Sequence, residues 1–411
     1  MQNNNLPEGW KIVKLKYYTT ERKQKNKANE ELTVFSISNK RGFVKSDDYF
    51  EGQVYSKDLK NYKIVKKGDF AYNPARINVG SIAYLESEEI GLLSPMYVIF
   101  SLNKEIDKDY FSYFIKGNLF NKQVNNFTQG AVRQILSFGD LGNISLLLPP
   151  LEVQKEIASK LKELDKLIEI SKNEIDKQEN LKKAMMKKLF SEGIGHTEFK
   201  DSKLGMIPKE WEVKKFKDII KRTQLGLNME SSIYNEGLPL LKMQNLLIGD
   251  FNIDDDNLNK IENNNIDNFL EYKVNYGDFL FNTRNSYDLV GKSATWKYKD
   301  LNNFLFNSNI MRVLFKDNVS SFYLNYFFSS YFGWKQLKSI TKGTTSVAAI
   351  YLKDLNLVKI LFPTFEEQKK IADILENIDN LLEKEREIKV CYEKMKKGIV
   401  SLVFSCNLLI K

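Results

Sequence analysis

Apolar residues recur at helical spacing in two distant parts of this chain. In "LPPLEVQKEIASKLKELDKLIE", which begins at Leu148, they return every three, four or seven positions from Ile157 onward. No proline lies between Leu151 and Leu189. The pattern predicts one amphipathic helix of roughly 40 residues, about 60 Å long.

A second stretch, "LFPTFEEQKKIADILENIDNLLE", begins at Leu361 and repeats that pattern. A helix of this length cannot bury an apolar stripe alone, so each helix needs a partner, and the nearest candidate is its own copy. The predicted seam consists of Ile157, Leu161, Leu164, Ile168, Ile371, Leu375, Ile378 and Leu382.

The chain before each long helix combines short apolar segments with tight turns. The segments "KIVKKGDFAY", "PMYVIFSL" and "KVNYGDFLFN" are rich in β-branched and aromatic residues, which is typical of strands joined by turns. "KDYFSYFIKGNLFNKQVNNF" and "SSFYLNYFFSSYFGWKQLKSI" predict amphipathic, aromatic-rich helices. We therefore expect globular units of the α/β or mixed α+β class.

The two globular units are diverged copies. The opening "LPEGWKIVKLK" recurs as "IPKEWEVKKFK", which aligns Pro7 with Pro208 and Trp10 with Trp211, and we expect these four residues to be structural. Both copies then carry a Gly-Asp-Phe-x-x-Asn motif. A whole domain and its helix are thus duplicated. The predicted boundaries are 1–147 for the first domain, 148–192 for the first helix, 193–358 for the linker and second domain, and 359–411 for the second helix and tail.

Composition narrows the possible partners and the compartment. A net charge of +9 favours a polyanionic partner, although a Lys- and Asn-rich composition is equally explained by a genomic bias. Cys391, Cys406 and the single histidine, His196, are too few for a disulfide framework or for a zinc site. The apolar runs are shorter than a membrane span, and the first residues do not form a secretory signal. We expect a cytoplasmic protein without a membrane segment.

The sequence contains no motif for cofactor chemistry. "GKSATW" at Gly291 ends like a phosphate-binding loop, but Ser286 occupies the position of the first glycine. No dinucleotide-binding glycine motif follows a strand, and the Asn-Pro-Pro-aromatic motif of adenine methyltransferases is missing. We predict no catalytic residue, no metal ligand and no cofactor.

The repeated proline-led helix resembles the specificity subunit of type I restriction-modification systems. The join "KKLFSEGIGHTEFKDSKLGMIPKEWE" also resembles that of the family, and the similarity covers essentially the whole chain. The residues that carry the resemblance in the two helices are Pro150, Gln154, Ile157, Ala158, Leu161 and Asp165, and Pro363, Gln368, Ile371, Ala372, Leu375 and Asp379.

The resemblance implies two target recognition domains joined by two long helices that form an antiparallel coiled coil with pseudo-two-fold symmetry. Such a subunit is not catalytic. It recognises a bipartite sequence in double-stranded DNA and holds two modification subunits, which methylate adenine using S-adenosylmethionine. In the complete system, motor-nuclease restriction subunits join them. The helices would then set the spacing between half-sites, about one turn of DNA. Exposed Glu and Lys residues on the helices are candidates for contact with the modification subunits.

Two hairpin tips are candidates for reading bases. Arg76 in "NPARINVG" and Arg284 in "NTRNSYDLVG" follow the aligned Asn73 and Asn282. Arginine can bond guanine O6 and N7 together, and asparagine can bond adenine N6 and N7. The alternative is structural, because an asparagine after such a turn often caps it.

Two later loops are candidates for phosphate or base contact. Each follows an aromatic helix and carries a glycine where the backbone could approach DNA. The alternative is an ordinary polar loop. The candidate residues are Gln129, Arg133 and Gln134 in "TQGAVRQ", and Lys342, Thr344, Thr345 and Ser346 in "TKGTTS".

Two other functions compete with DNA recognition. The chain could be a coiled-coil scaffold whose globular domains bind protein without sequence-specific contact to DNA. A self-contained methyltransferase or nuclease is the third hypothesis, and the missing motifs argue against it.

Overall fold

The structure is a computed structural model that describes residues 6–39, 41–49, 55–128, 135–233, 236–254, 256, 258–262, 266–301 and 303–404. The chain divides into two compact units. Unit 1 comprises Met1–Lys172 and Glu387–Lys411, and unit 2 comprises Asn173–Arg386. Each unit therefore contains one globular domain, part of the first long helix and part of the second.

The described residues of unit 1 form three sheets. A two-stranded antiparallel ribbon pairs β1 (Lys11–Lys14) with β10 (Ser145–Leu148). An antiparallel sheet has the order β2 (Thr19–Arg22), β9 (Val98–Leu102), β6 (Phe70–Tyr72) and β7 (Ile82–Tyr84). A mixed sheet has the order β4 (Gly42–Lys45), β3 (Val34–Ser38), β8 (Ile90–Leu93) and β5 (Lys63–Lys66), in which only β3 and β8 are parallel.

Among the described residues, four short α-helices complete the domain of unit 1, and one long helix follows it. The long helix, α5, begins directly after Pro150 and spans 42 residues, close to the predicted length. The helices are α1 (Ser46–Tyr49), α2 (Lys108–Ile115), α3 (Asn118–Thr128), α4 (Phe138–Gly142) and α5 (Leu151–Glu192).

Unit 2 repeats most of this order with different strand lengths. Its ribbon pairs β13 (Glu212–Lys215) with β24 (Lys359–Phe362), and a hairpin of β11 (Phe199–Ser202) and β12 (Gly205–Pro208) precedes it. Its antiparallel sheet has the order β14 (Ile220–Leu225), β21 (Ile310–Phe315), β17 (Phe279–Asn282) and β19 (Ser293–Thr295). Its mixed sheet has the order β16 (Asn259–Ile261), β15 (Leu238–Leu241) and β20 (Leu305–Phe306).

A further, small sheet in unit 2 has no equivalent among the described strands of unit 1. It joins β18 (Arg284–Asn285), β23 (Ala348–Ala349) and β22 (Lys342–Gly343) in that order. The helices of unit 2 are α6 (Phe216–Ile219), α7 (Ser321–Ser329), α8 (Tyr331–Ile340), α9 (Leu352–Leu355) and α10 (Phe365–Val403). The predicted mixed α/β class and the duplicated domain with its long helix are confirmed.

Each predicted aromatic helix is in fact a pair of helices. In unit 1 the break lies at Lys116 and Gly117, between α2 and α3. In unit 2 it lies at Ser330, whose hydroxyl accepts a hydrogen bond from the Gly333 N–H and so caps α8. A serine side chain that satisfies a free N–H favours a new helix start over continuation.

A buried glutamine fastens each long helix to its domain. The Gln154 amide donates to the carbonyl oxygens of Pro149 and Glu105, at 2.8 and 3.0 Å, and its oxygen accepts from the Asp107 N–H at 2.8 Å. Asp107 is the N-cap residue of α2, so this amide ties the start of one helix to the start of another.

Gln368 makes the same three contacts in unit 2. Its amide donates to Pro363 and Asn318, and its oxygen accepts from the N–H of Ser320, the N-cap residue of α7. Both glutamines are buried, with exposures of 1% and 0%. The glutamine that recurs in the repeated motif thus has the same structural role in both copies.

An Asp–Tyr–Lys cluster joins the two long helices in each unit. In unit 1 the Asp165 carboxylate accepts from the Tyr113 hydroxyl at 2.8 Å and pairs with Lys396 of α10. In unit 2 Asp379 accepts from the Tyr326 hydroxyl at 2.9 Å and pairs with Lys182 of α5. Burial is the main cause that raises the pKa of both tyrosines far above their ordinary value, so each hydroxyl keeps its proton and donates.

Contacts between the helices show that they run antiparallel within a unit. In unit 2, Glu179 of α5 pairs with Arg386 of α10, whereas Lys182, further along α5, pairs with Asp379, earlier in α10. The predicted seam residues are buried or half-buried. They also contact the domains, because Leu161 belongs to the core of unit 1 and Leu375 to that of unit 2.

The end of each helix inserts a phenylalanine into a domain core. Phe190, near the end of α5, packs against Tyr323 and Phe327 with ring centroids 5.5 and 5.8 Å apart. Phe404, directly after α10, packs against Tyr110 and Phe114 at 5.1 and 5.7 Å. The core of unit 2 therefore includes a residue from the C-terminal end of α5, and the core of unit 1 includes the residue that follows α10.

We predict that Phe190→Ala lowers the free energy of unfolding of unit 2 by about 3–5 kcal/mol, because it empties a buried aromatic site. Urea denaturation followed by tryptophan fluorescence measures this, since Trp211, Trp296 and Trp334 all lie in unit 2. Leu181→Ala, on the same helix and 51% exposed, is the control. Equal unfolding midpoints for the two variants would contradict the prediction.

Candidate nucleic-acid interface

The Gly-Asp turn positions the hairpin of β6 and β7 in unit 1 and the hairpin of β17 and β19 in unit 2. In unit 1 the Asp69 carboxylate accepts from the Lys66 N–H and pairs with Arg22 at 2.7 Å. Burial raises the pKa of Asp69, and the N–H and the guanidinium oppose that rise. The turn is thus anchored by a buried acid whose charge is compensated inside the domain.

Unit 2 uses an arginine from a different strand for the same task. Asp278 accepts from the Asn275 N–H at 2.9 Å and pairs with Arg312 at 3.1 Å. Burial raises the pKa of Asp278, against the effects of that N–H and of Arg312. Arg22 lies on β2, whereas Arg312 lies on β21, the counterpart of β9.

The candidate asparagines are built into their hairpins. The Asn73 side-chain oxygen accepts from the Ala75 N–H at 3.0 Å, and the residue is buried. Asn282 is fully buried, and its amide donates to the carbonyl oxygens of Arg284 and Asn309. Both side chains shape the turn and are turned away from solvent, which is the structural alternative expected of an asparagine at this place.

The candidate arginines are presented to solvent. Arg76 and Arg284 are exposed, and neither guanidinium has a protein partner among the described residues. In unit 1, Arg76 opens a short 3₁₀ turn, Ile77–Val79. In unit 2, Arg284 lies on β18. The two copies thus present an arginine from different backbone conformations.

The structure joins the two candidate loops of unit 2. Strand β23 lies between β18 and β22, and Ala349 is the register partner of both Arg284 and Lys342. Lys342 and 344–346 are exposed, and the Lys342 ammonium pairs with Asp354 at 2.8 Å. One small sheet therefore presents an arginine and a lysine on the two strands that flank β23, and the loop that joins β22 to β23 presents three hydroxyl-bearing residues beside them.

The corresponding loop of unit 1 lies partly outside the described residues. Gln129, Arg133 and Gln134 fall in that part, and their DNA contacts stay predictions. The chain that follows contacts the hairpin of β6 and β7. The Leu136 N–H donates to the Pro74 carbonyl at 3.0 Å, and the Tyr72 hydroxyl donates to the Leu136 carbonyl.

Two residues beside this sheet were missed by sequence reasoning. Tyr287 lies exposed in the hairpin after Arg284, and its N–H donates to the Thr345 carbonyl at 3.0 Å. Lys338 of α8 lies 5.5 Å from the Tyr287 ring and donates to its carbonyl at 2.6 Å, while burial lowers the pKa of this lysine. The aromatic residue inside "NTRNSYDLVG" was the available signal, since an exposed ring can stack on a base.

The described part of the chain contains neither a metal-binding cluster nor a helix that could cross a membrane. No group of three or more His, Cys, Asp or Glu side chains there is arranged to hold an ion. None of the described helices is both long enough and apolar enough to span a bilayer.

The family model, the relatives and the solved structure to which this chain is similar all belong to the same family. Residues 7–180 and 208–391 match the model for the type I restriction modification DNA specificity domain. The type I restriction enzyme MjaVIII specificity subunit of Methanocaldococcus jannaschii is 30% identical, over 100% of this chain and 96% of that relative. The putative MjaX specificity subunit of the same organism is 29% identical, over 99% and 95%. The crystal structure of the type I restriction-modification S subunit from M. genitalium shares the fold, with a TM-score of 0.57 and 14% identity over 98% of each chain.

We predict that Gly343→Ala disrupts the hairpin of β22 and β23. Gly343 has φ +132°, and an added Cβ would lie 2.3 Å from the Val347 carbonyl oxygen. The strain, about 1–3 kcal/mol, should speed hydrogen exchange at the Thr344 and Ile350 amides. Gly398→Ala, on α10 with nothing within 4 Å of its Cβ, is the control. If both amides exchange at the parental rate in Gly343→Ala, the hairpin of β22 and β23 does not require glycine at this position and the prediction is wrong.

Proposed function

Because the chain belongs to the family of type I restriction-modification specificity subunits, we propose that it recognises a bipartite site in double-stranded DNA with one domain for each half-site. The observation that carries this proposal is the small sheet of unit 2. There, two loops that are distant in sequence present Arg284, Lys342 and three hydroxyl-bearing residues together.

The chemistry of this surface suits duplex recognition. An exposed guanidinium without a protein partner is free to bond guanine O6 and N7 in the major groove. The hydroxyl groups of Thr344, Thr345 and Ser346, and the backbone at Gly343, suit contacts to phosphate that set the register. Arg76 occupies the equivalent hairpin of unit 1 and is proposed to act on the other half-site.

The two long helices are proposed to set the distance between half-sites. They span 42 and 39 residues, and a helix of about 40 residues is about 60 Å long. A helix stiffened by a partner keeps a fixed length, whereas a flexible linker would allow several spacings. The chain is proposed to have no catalytic activity and to hold two modification subunits, which methylate adenine, with restriction subunits in the complete system.

A protein-binding scaffold is the competing function, and salt dependence separates the two. A sequence-reading protein that contacts several phosphates loses affinity steeply as salt rises and prefers one site. The purified chain with its modification subunits would be used to select sites from a random duplex library. Binding to the selected duplex would then be measured at several salt concentrations. Flat, sequence-independent binding would favour the scaffold.

We predict that Arg284→Ala lowers affinity for the selected duplex about 10- to 100-fold, because a bidentate contact to a base is worth about 1–3 kcal/mol. Base preference should relax in one half-site only. Repeating the selection with the variant measures both effects.

Arg222→Ala is the matched control. Arg222 is also an exposed arginine of unit 2, but it lies on β14 and outside the small sheet. Its removal should leave the base preferences of both half-sites unchanged. If Arg284→Ala selects the same sequence with the same affinity as the parent chain, Arg284 does not read DNA.

We further predict that lengthening both helices changes the spacing and leaves the half-sites unchanged. A heptad inserted after Lys172 and another after Arg386 would add about 10.5 Å to each helix and keep the apolar seam in phase. The preferred spacer should grow by about three base pairs, at about 3.4 Å each. The same heptad inserted at the turn after Lys203 is the control. If the lengthened protein still selects sites with the parental spacing, the helices do not set the distance between half-sites.

A further inference from the structure

The loop that joins β22 to β23 in unit 2 presents an apolar side chain to solvent. Val347 is 73% exposed, and among the described valines the next most exposed is Val79, at 55%. The residues before it in the loop, 344–346, carry hydroxyl groups and are exposed as well. Single exposed apolar residues are common on protein surfaces, so the place of Val347 in the fold decides whether it has a role.

The burial pattern along this segment gives the direction of the Val347 side chain. Val347 is exposed, Ala348 is buried, Ala349 is half-buried and Ile350 is buried. Successive side chains of an extended segment point to opposite faces. Ala348 and Ile350 point into the core of unit 2, to which both belong, and Val347 and Ala349 therefore point outward.

The same outward face carries the two cations of the small sheet. Ala349 is the register partner of Arg284 on one side and of Lys342 on the other. Side chains of directly opposed residues lie on the same face of a sheet, so Val347 shares its face with both cations. Lys342 is paired with Asp354, whereas the Arg284 guanidinium has no ion pair among the described residues. An apolar group and an unpaired guanidinium thus lie on one surface.

Hydrogen bonds fasten the loop that carries Val347. The Thr344 N–H donates to the Val347 carbonyl at 2.8 Å, and the Val347 N–H donates to the Thr344 hydroxyl at 3.3 Å. From the neighbouring hairpin, the Tyr287 N–H donates to the Thr345 carbonyl at 3.0 Å. A valine side chain is itself stiff because its Cβ is branched. The two methyl groups of Val347 are therefore presented at a defined place.

The chemistry of the DNA grooves determines which group suits this side chain. Phosphate oxygens are polar and charged, so they do not favour contact with a valine. In the major groove thymine displays a 5-methyl group, and the minor groove displays no methyl group. A guanidinium that bonds guanine O6 and N7 also lies in the major groove. A valine beside Arg284 therefore matches a thymine close to that guanine.

We propose that Val347 contacts the 5-methyl group of a thymine in the half-site that unit 2 recognises. This rests on the proposed function, in which unit 2 recognises one half-site, and it adds a base that this domain selects and the side chain that selects it. The 5-methyl group of 5-methylcytosine occupies the same place in the groove, and the experiment separates the two bases.

Replacing thymine by uracil removes only this methyl group and tests the proposal. The full chain with its modification subunits would first select a site from a random duplex library. Uracil would then replace each thymine of the selected site in turn. For the parent chain we expect about fourfold weaker binding at one or two positions, all in one half-site, because burying one methyl group contributes about that factor.

Val347→Ala should remove this dependence on the methyl group. We expect it to bind the thymine duplex about fourfold more weakly than the parent chain does, and to lose less than about twofold when uracil replaces thymine. Val347→Ile keeps a branched apolar side chain and should retain the parental loss with uracil. The turn should survive both changes, because its bonds with Thr344 use backbone atoms of Val347. Hydrogen exchange at the Thr344 amide checks this.

Val390→Ala is the matched control. Val390 is also an exposed valine, but it lies on α10 and outside the small sheet. Its removal should leave both the affinity for the thymine duplex and the loss with uracil at their parental values.

Separate outcomes identify which idea fails. If the parent chain selects a site in which uracil weakens binding at no thymine, or if Val347→Ala keeps the full loss, Val347 does not contact a thymine methyl group. If 5-methylcytosine in place of a selected cytosine strengthens binding by the parent and not by Val347→Ala, the valine recognises a modified cytosine and the proposal is overturned. If the parent chain selects no preferred duplex, the proposed function itself fails.

Discussion

The arrangement of each unit depends on one buried glutamine amide. Gln154 and Gln368 each bond one carbonyl group just before a long helix, one carbonyl group just before a domain helix, and the N–H of the N-cap residue of that domain helix. A buried polar group left without a partner costs about 1–3 kcal/mol, so three bonds made at one side chain leave little freedom in the angle at which the helix leaves the domain. The Asp–Tyr–Lys cluster and the inserted phenylalanine then act on a helix whose direction is already set.

The long helices and the duplication could be predicted because their signals are local or periodic. An apolar stripe reports a helix wherever it folds, and a repeated phrase reports a repeated unit. The breaks at Gly117 and Ser330 were missed, since aromatic spacing continues through both, and at Ser330 it is the cap of α8 that marks the new helix. The sequence identified Gln154 as a repeated residue but not the bonds that it makes, because two of its three partners, Glu105 and Asp107, lie nearly fifty residues away.

The candidate interface was predictable in composition and not in geometry. Arginine in a hairpin and threonine in a glycine loop could be identified from their types. Their assembly across Ala349 depends on strand pairing between segments separated by more than fifty residues, which no local pattern encodes. The burial of Asn282 has the same origin, because its amide is held by the Asn309 carbonyl of another loop. The two copies differ most at these hairpins and agree at the joint with the helices, as expected if one region varies with the site recognised while the other keeps a common architecture.

The different origins of Arg22 and Arg312 have an evolutionary consequence. Each buried aspartate finds its counter-ion within its own domain, although the arginine has moved from one strand to its neighbour between the copies. A gene segment encoding either domain could therefore be replaced by recombination without stranding a carboxylate in an apolar interior, a defect that would cost several kcal/mol. Self-contained charge balance therefore makes the exchange of a whole domain structurally tolerable.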